Sequence, residues 1–105
     1  MKINIIQTTV NSNKNARIIA EYLVKKKISP CVQIVQINES IYQWKSKIKY
    51  MKEYLLIIKT IPEHTKQCKK YILELNNYEI PEIIITKGEI LLEDYSDWFL
   101  ENITK

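Results

Sequence analysis

The run Tyr78-Glu79-Ile80-Pro81-Glu82-Ile83-Ile84-Ile85 constrains the fold more than any other stretch of the chain. Pro81 ends whatever helix precedes it and biases Ile80 toward extended geometry. The β-branched residues behind it read as a short buried strand, expected from Pro81 to Lys87 and followed by Gly88. Tyr78, Glu79 and Glu82 are thereby held at the mouth of a strand, where rigid side chains face a cleft.

The rest of the chain supplies the partners such a strand needs. Lys2 to Val10 is rich in β-branched residues and reads as a first strand. Asn11-Ser12-Asn13 suits a helix N-cap, and Ala16, Ile19, Ala20, Leu23 and Val24 recur on one helical face until Ser29-Pro30 closes the helix after Lys27. Cys31 to Trp44 is strand-like, with alternation that slips around Gln36 to Glu39 and so predicts a bulge. Lys45 to Lys49 is the expected turn and Tyr50 to Thr60 the returning strand. Thr60-Ile61-Pro62-Glu63 has the capping-box pattern, with Thr60 as cap of a second helix striped by His64, Cys68, Tyr71, Ile72 and Leu75. Asn76-Asn77 is the expected left-handed stop. Leu91, Leu92, Tyr95, Trp98 and Phe99 form a short terminal helix.

The order is β-α-β-β-α-β with an appended helix, the split βαβ arrangement. It predicts one α+β domain over residues 1–105, with both main helices on one face of a four-stranded antiparallel sheet. The other face then needs a cover. The return strand is apolar at nearly every position from Tyr54 to Ile58, as in strands buried on both sides. Two helices cover one face only, so self-association is the economical expectation, with Tyr42, Trp44, Tyr54 and Trp98 as packing anchors.

Composition excludes several classes. The chain has 105 residues, a net charge of +4 and a single glycine, Gly88. One glycine cannot build a phosphate-cradling loop or a dinucleotide fingerprint. The positive charge is nearly all lysine, Arg17 being the sole arginine. Lysine lacks the bidentate fork used for phosphate and guanine recognition. The sheet aromatics do not sit in the glycine-containing motif of RNA-recognition domains, so no nucleic-acid partner is expected. No apolar run is long enough to span a bilayer, and Met1-Lys2-Ile3-Asn4 has no signal-peptide layout, so no membrane partner and a cytoplasmic location are expected. Cys31 and Cys68 lack CxxC spacing and read as reduced thiols.

Three ordered blocks carry a family resemblance: Ser40-Ile41-Tyr42-Gln43-Trp44-Lys45, Glu53-Tyr54-Leu55-Leu56-Ile57-Ile58-Lys59-Thr60, and Tyr78 to Ile85. Together they resemble the CutA family of divalent-cation tolerance proteins. The resemblance implies a ferredoxin-like βαββαβ sandwich assembled as a tight homotrimer, without enzymatic activity. It also implies that Lys59, Tyr78 and Glu82 converge on a cleft, with Cys31 as a soft donor, and that Cu²⁺ or another divalent cation binds at inter-subunit clefts. The family's copper positions, cysteine and histidine, are occupied here by Thr8 and Asn76, and neither residue is a good copper ligand. A second reading, by likeness to PII signalling trimers, is a small-molecule sensor or assembly scaffold holding an organic anion near Lys59.

Overall fold

The computed structural model describes residues 1–104. Strand β1 spans Lys2–Val10, and its side chains alternate between two faces. Helix α1 spans Asn13–Lys25, capped by the Ser12 hydroxyl, which accepts from the Asn15 amide at 3.0 Å. It closes before Ser29-Pro30: Lys27 takes a left-handed φ of 56°, and the Ile28 amide donates back to the Leu23 carbonyl at 3.0 Å. Leu23 and Ile28 are both buried, the apolar contact that accompanies this type of helix end.

Strands β2 (Cys31–Trp44) and β3 (Lys47–Thr60) form a long antiparallel hairpin. Their register shifts between Ile37 and Ser40, which is the bulge the broken alternation announces. The turn is tighter than Lys45 to Lys49: only Lys45 and Ser46 leave the strands, at φ 49° and 66°. Two consecutive left-handed residues suit the twist of a two-residue hairpin, a geometry that favours Asn-Gly. Since the left-handed region costs a side-chain-bearing residue about 1–2 kcal/mol, replacing Lys45-Ser46 by Asn-Gly is expected to stabilise the protein by ~1 kcal/mol. A raised denaturation midpoint would show it, and an unchanged or lowered midpoint would refute strain at this turn.

Thr60 does not cap a helix. It is buried, and its hydroxyl donates to the Ile28 carbonyl at 2.7 Å. His64 Nδ1 lies 3.1 Å from the same oxygen. A buried carbonyl requires a donor, and this long-range need overrides the local capping pattern. A single 3₁₀ turn, Pro62–His64, leads instead into α2 (Thr65–Leu75). Strand β4 covers Ile84–Glu89, starting later than Pro81 and including Gly88, and α3 covers Glu93–Glu101. Pro81 has no N–H for a ladder, which keeps its neighbourhood out of the sheet.

The sheet order is β2-β3-β1-β4, every neighbouring pair antiparallel. Helices α1 and α2 cover one face, where Ile6, Val10, Leu56 and Ile58 meet Ile19, Leu23, Cys68 and Ile72. Burial pushes the Cys68 thiol up to about 11, with the nearby Thr60 hydroxyl offsetting part of the rise, so it is an unreactive core group. The second face is not left wholly bare. Helix α3 lies on it at one end, burying Phe99 and Ile103 with Ile3, while Ile5 and Tyr95 are partly covered. Beyond that patch Val35 and Ile84 are 45% and 49% exposed, as are Ile41, Ile48 and Tyr50 on the projecting hairpin arm at 62%, 57% and 65%. Leu91 and Leu92 are exposed because α3 begins only at Glu93. Among the described residues no helix is long and apolar enough to cross a membrane.

Candidate functional site at the base of the hairpin arm

The segment after α2 positions the site. Asn76, expected to be left-handed, is extended at φ −80° and ψ 136°. Its side-chain nitrogen donates to the Thr9 carbonyl at 3.1 Å and to the Thr8 hydroxyl at 3.3 Å, while its oxygen accepts from the Tyr78 amide at 2.9 Å. These bonds fasten the segment to the end of β1 and send Tyr78 across β3.

Tyr78 then donates to Glu53 Oε2 at 2.7 Å, with the Met51 sulfur 3.3 Å from its hydroxyl. Burial, reinforced by the Glu53 carboxylate, raises the Tyr78 pKa well above the ordinary tyrosine value. Its hydroxyl therefore stays protonated and remains a donor at neutral pH. Glu53 is only 8% exposed, and no cation pairs with it among the described residues.

Around this pair opens a cleft of about 440 Å³, walled by Tyr42, Trp44, Met51 and Tyr78. That volume falls within the range of small-ligand sites. Glu53, Glu79 and Glu82 line it, and no lysine or arginine does. The charged residues of the lining are thus all acidic, which suits a cation better than an anion.

The residues singled out from sequence divide between two places. Tyr78, Glu82, Tyr42 and Trp44 are in the cleft. Lys59 and Cys31 lie opposite each other across β3 and β2 at the far end. Lys59 follows Glu53 by six positions on β3, roughly 20 Å at strand rise, so the expected convergence of Lys59 with Tyr78 and Glu82 does not occur within one chain. Its ammonium instead sits 6.0 Å above the Tyr95 ring. Tyr54 packs against the core under α1 and α2, off the open face. Trp98 is 40% exposed and stacks on Tyr95 at 5.4 Å. Glu53 went unnoticed as a site residue because its burial depends on Tyr78 arriving from 25 positions away. The one local signal was a carboxylate opening an otherwise apolar stretch of strand.

The metal-ligating capacity of one chain is small. Thr8 and Asn76 are brought together, but their hydrogen bond closes the pair on itself. Cys68 is buried and His64 is engaged with a backbone carbonyl. Among the described residues no three histidine, cysteine or carboxylate side chains gather to hold an ion. The donors of a single chain do not fit a resident copper centre.

The family model described as CutA1 divalent ion tolerance protein matches residues 4–102. The chain belongs to the CutA family. The divalent-cation tolerance protein CutA of Thermus thermophilus is 35% identical, over 93% of this chain and 95% of its own length. Among solved structures, the periplasmic divalent cation tolerance protein CutA of Archaeoglobus fulgidus superposes with a TM-score of 0.91 at 30% identity, covering 97% of this chain and 99% of that one. CutA1 of Oryza sativa superposes at 0.93 with 25% identity, covering 100% and 96%. The fold expected from the CutA resemblance is therefore the fold found, and the family's divalent-ion connection frames the acidic cleft.

Proposed function

We propose that this CutA-family chain is a non-enzymatic, homotrimeric divalent-cation tolerance protein, and that its cleft takes cations weakly and reversibly. The observation that carries this reading is the lining of the cleft: three carboxylates, one thioether and no basic side chain. Carboxylate oxygens suit hard divalent ions, and the Met51 sulfur adds a soft donor for copper. With no convergent ligand set in one chain, binding is labile and the ion is cargo, not a resident cofactor. The apolar open face and the projecting arm support assembly, since burying apolar area is favourable by about 25 cal/mol per Å². Two free thiols, Cys31 and Cys68, suit a reducing compartment and favour a cytoplasmic location for this chain, whatever the periplasmic name of the Archaeoglobus relative says of that protein. Within one chain Lys59 lies away from the cleft, so the organic-anion reading requires the Lys59 of another subunit.

Native mass spectrometry with a few equivalents of Cu²⁺ tests the proposal. The expected result is a trimer carrying discrete metal additions, reduced several-fold by Glu82→Ala with the trimer intact. Undiminished additions in Glu82→Ala would remove that carboxylate from the site. A trimer that takes no ion would end the metal reading, and a monomer would end the assembly reading.

A further inference from the structure

Helices α1 and α2 lie side by side over the sheet and are pinned to each other at both ends. At one end the side-chain nitrogen of Asn15, in the first turn of α1, donates to the carbonyl of Leu75, the last residue of α2, at 3.0 Å. At the other end His64, just before α2, brings Nδ1 to 3.1 Å from the carbonyl of Ile28, just after α1. Between these pins Tyr22 meets Tyr71, with ring centroids 4.8 Å apart and planes tilted by 57°. It is the one contact between two tyrosine rings among the described residues. Aromatic pairs sit roughly 4.5–7 Å apart, so these two phenols are near closest approach. Lys26 holds its ammonium 5.7 Å from the Tyr22 ring, and Lys70 holds its own 5.5 Å from Tyr71. Both rings are only half-buried, and neither residue lines the cleft or lies on the open face of the sheet.

We propose that Tyr22 and Tyr71 form an oxidative cross-linking site, where a one-electron metal oxidant formed from hydrogen peroxide joins the two rings as dityrosine and clasps α1 to α2. Each phenol gives one electron to the oxidant and its hydroxyl proton to water. The flanking ammonium groups oppose a positively charged ring, so the electron leaves together with that proton. The Tyr71 hydroxyl beside it raises the pKa of Tyr22, which therefore enters the reaction as the neutral phenol. The two phenoxyl radicals then couple through a carbon–carbon bond between ring carbons ortho to the oxygens. The hydrogen on each coupled carbon moves through water to its oxygen, which restores both phenols. Two electrons and two protons leave the protein in all, and they convert one hydrogen peroxide to two waters. The pins at both helix ends replace a diffusional encounter of radicals with a standing contact. The link closes a loop between positions 22 and 71 and restricts the unfolded chain as a disulfide does.

Hydrogen peroxide with a haem peroxidase, applied to the dilute full chain, tests the proposal. The expected product has dityrosine fluorescence, runs as a single chain on a denaturing gel, weighs two hydrogens less, and yields the Tyr22 and Tyr71 peptides joined. It is also expected to unfold at higher denaturant than the untreated chain. Tyr22→Phe and Tyr71→Phe should each abolish the intramolecular product with the circular dichroism unchanged. Tyr50→Phe, which removes a tyrosine 65% exposed on the hairpin arm, should leave it intact. The half-buried Cys31 thiol also gives up electrons and drains tyrosyl radicals, so Cys31→Ser is treated in parallel. Intramolecular dityrosine that persists in both phenylalanine variants, or links that form only between chains, would overturn the site. So would its absence from Cys31→Ser as well as from the wild type. None of these outcomes bears on ion binding in the cleft or on assembly, which native mass spectrometry reads separately.

Discussion

Phe99→Ala is expected to destabilise the protein by about 3–5 kcal/mol, the range for emptying a fully buried aromatic site. Phe99 is fully buried although it lies on a short helix of nine residues near the chain end. It fills the space over Ile3 with Ile103, and Met1, Ile5, Ile61 and Ile90 close around the group. A helix this short is marginal on its own, so its docking depends on this one anchor. Chemical denaturation with circular dichroism measures the loss. A cost below about 1 kcal/mol, the level of an ordinary surface change, would mean that α3 is not part of the cooperative fold. The same variant should free Tyr95 from its place beneath the Lys59 ammonium, which links the stability of α3 to the presentation of Lys59.

The second large effect concerns Tyr78. Tyr78→Phe removes the hydroxyl that donates to Glu53 and leaves a buried carboxylate without its donor, a loss of about 1–3 kcal/mol. The pH dependence identifies the cause. The folded-state pKa of Tyr78 is raised above the unfolded value of about 10, so its contribution is complete below that pH and declines as pH rises through it toward the folded value. Wild-type stability should therefore fall more steeply above about pH 10 than that of Tyr78→Phe. Cys68 and Tyr22, whose pKa values are also raised, contribute to alkaline loss in both proteins, and the difference between the two curves isolates Tyr78. Parallel curves would show that the hydroxyl is not in contact with Glu53 in solution.

How much of this was legible beforehand depended on whether the deciding contact was local. The bounds of β1 and β2 and the bulge after Gln36 followed from alternation, because β-branched side chains on a pleat leave a period of two in the sequence. Ser12 was legible as a cap for the same reason, its partner lying three residues away. Thr60 and Asn76 were misread because each carries a good local pattern that a distant backbone group overrules, the Ile28 carbonyl in one case and the Thr9 carbonyl in the other. The positions of Tyr78 and Glu82 in a cleft were legible from Pro81. The opposite wall was not, since Glu53 resembles any solvated glutamate until Tyr78 covers it. Lys59 was placed with them by family resemblance, and strand geometry within one chain separates them.

The place of β1 in the sheet has a consequence for how the chain reaches this structure. β1 precedes the other three strands in the chain yet sits between β3 and β4, and the Met1 nitrogen donates to the carbonyl of Ile90, 89 positions away. The β2–β3 hairpin forms from neighbouring sequence, but β1 gains its second edge only when β4 has emerged. Until then the most apolar faces of the first strand have one partner and an open side. Such a topology, dominated by pairings distant in sequence, folds slowly relative to helical domains of the same length. The last quarter of the chain is thus the clasp of the whole sheet, and the nascent protein depends on its arrival to hide the edge along which an unfinished sheet recruits other chains.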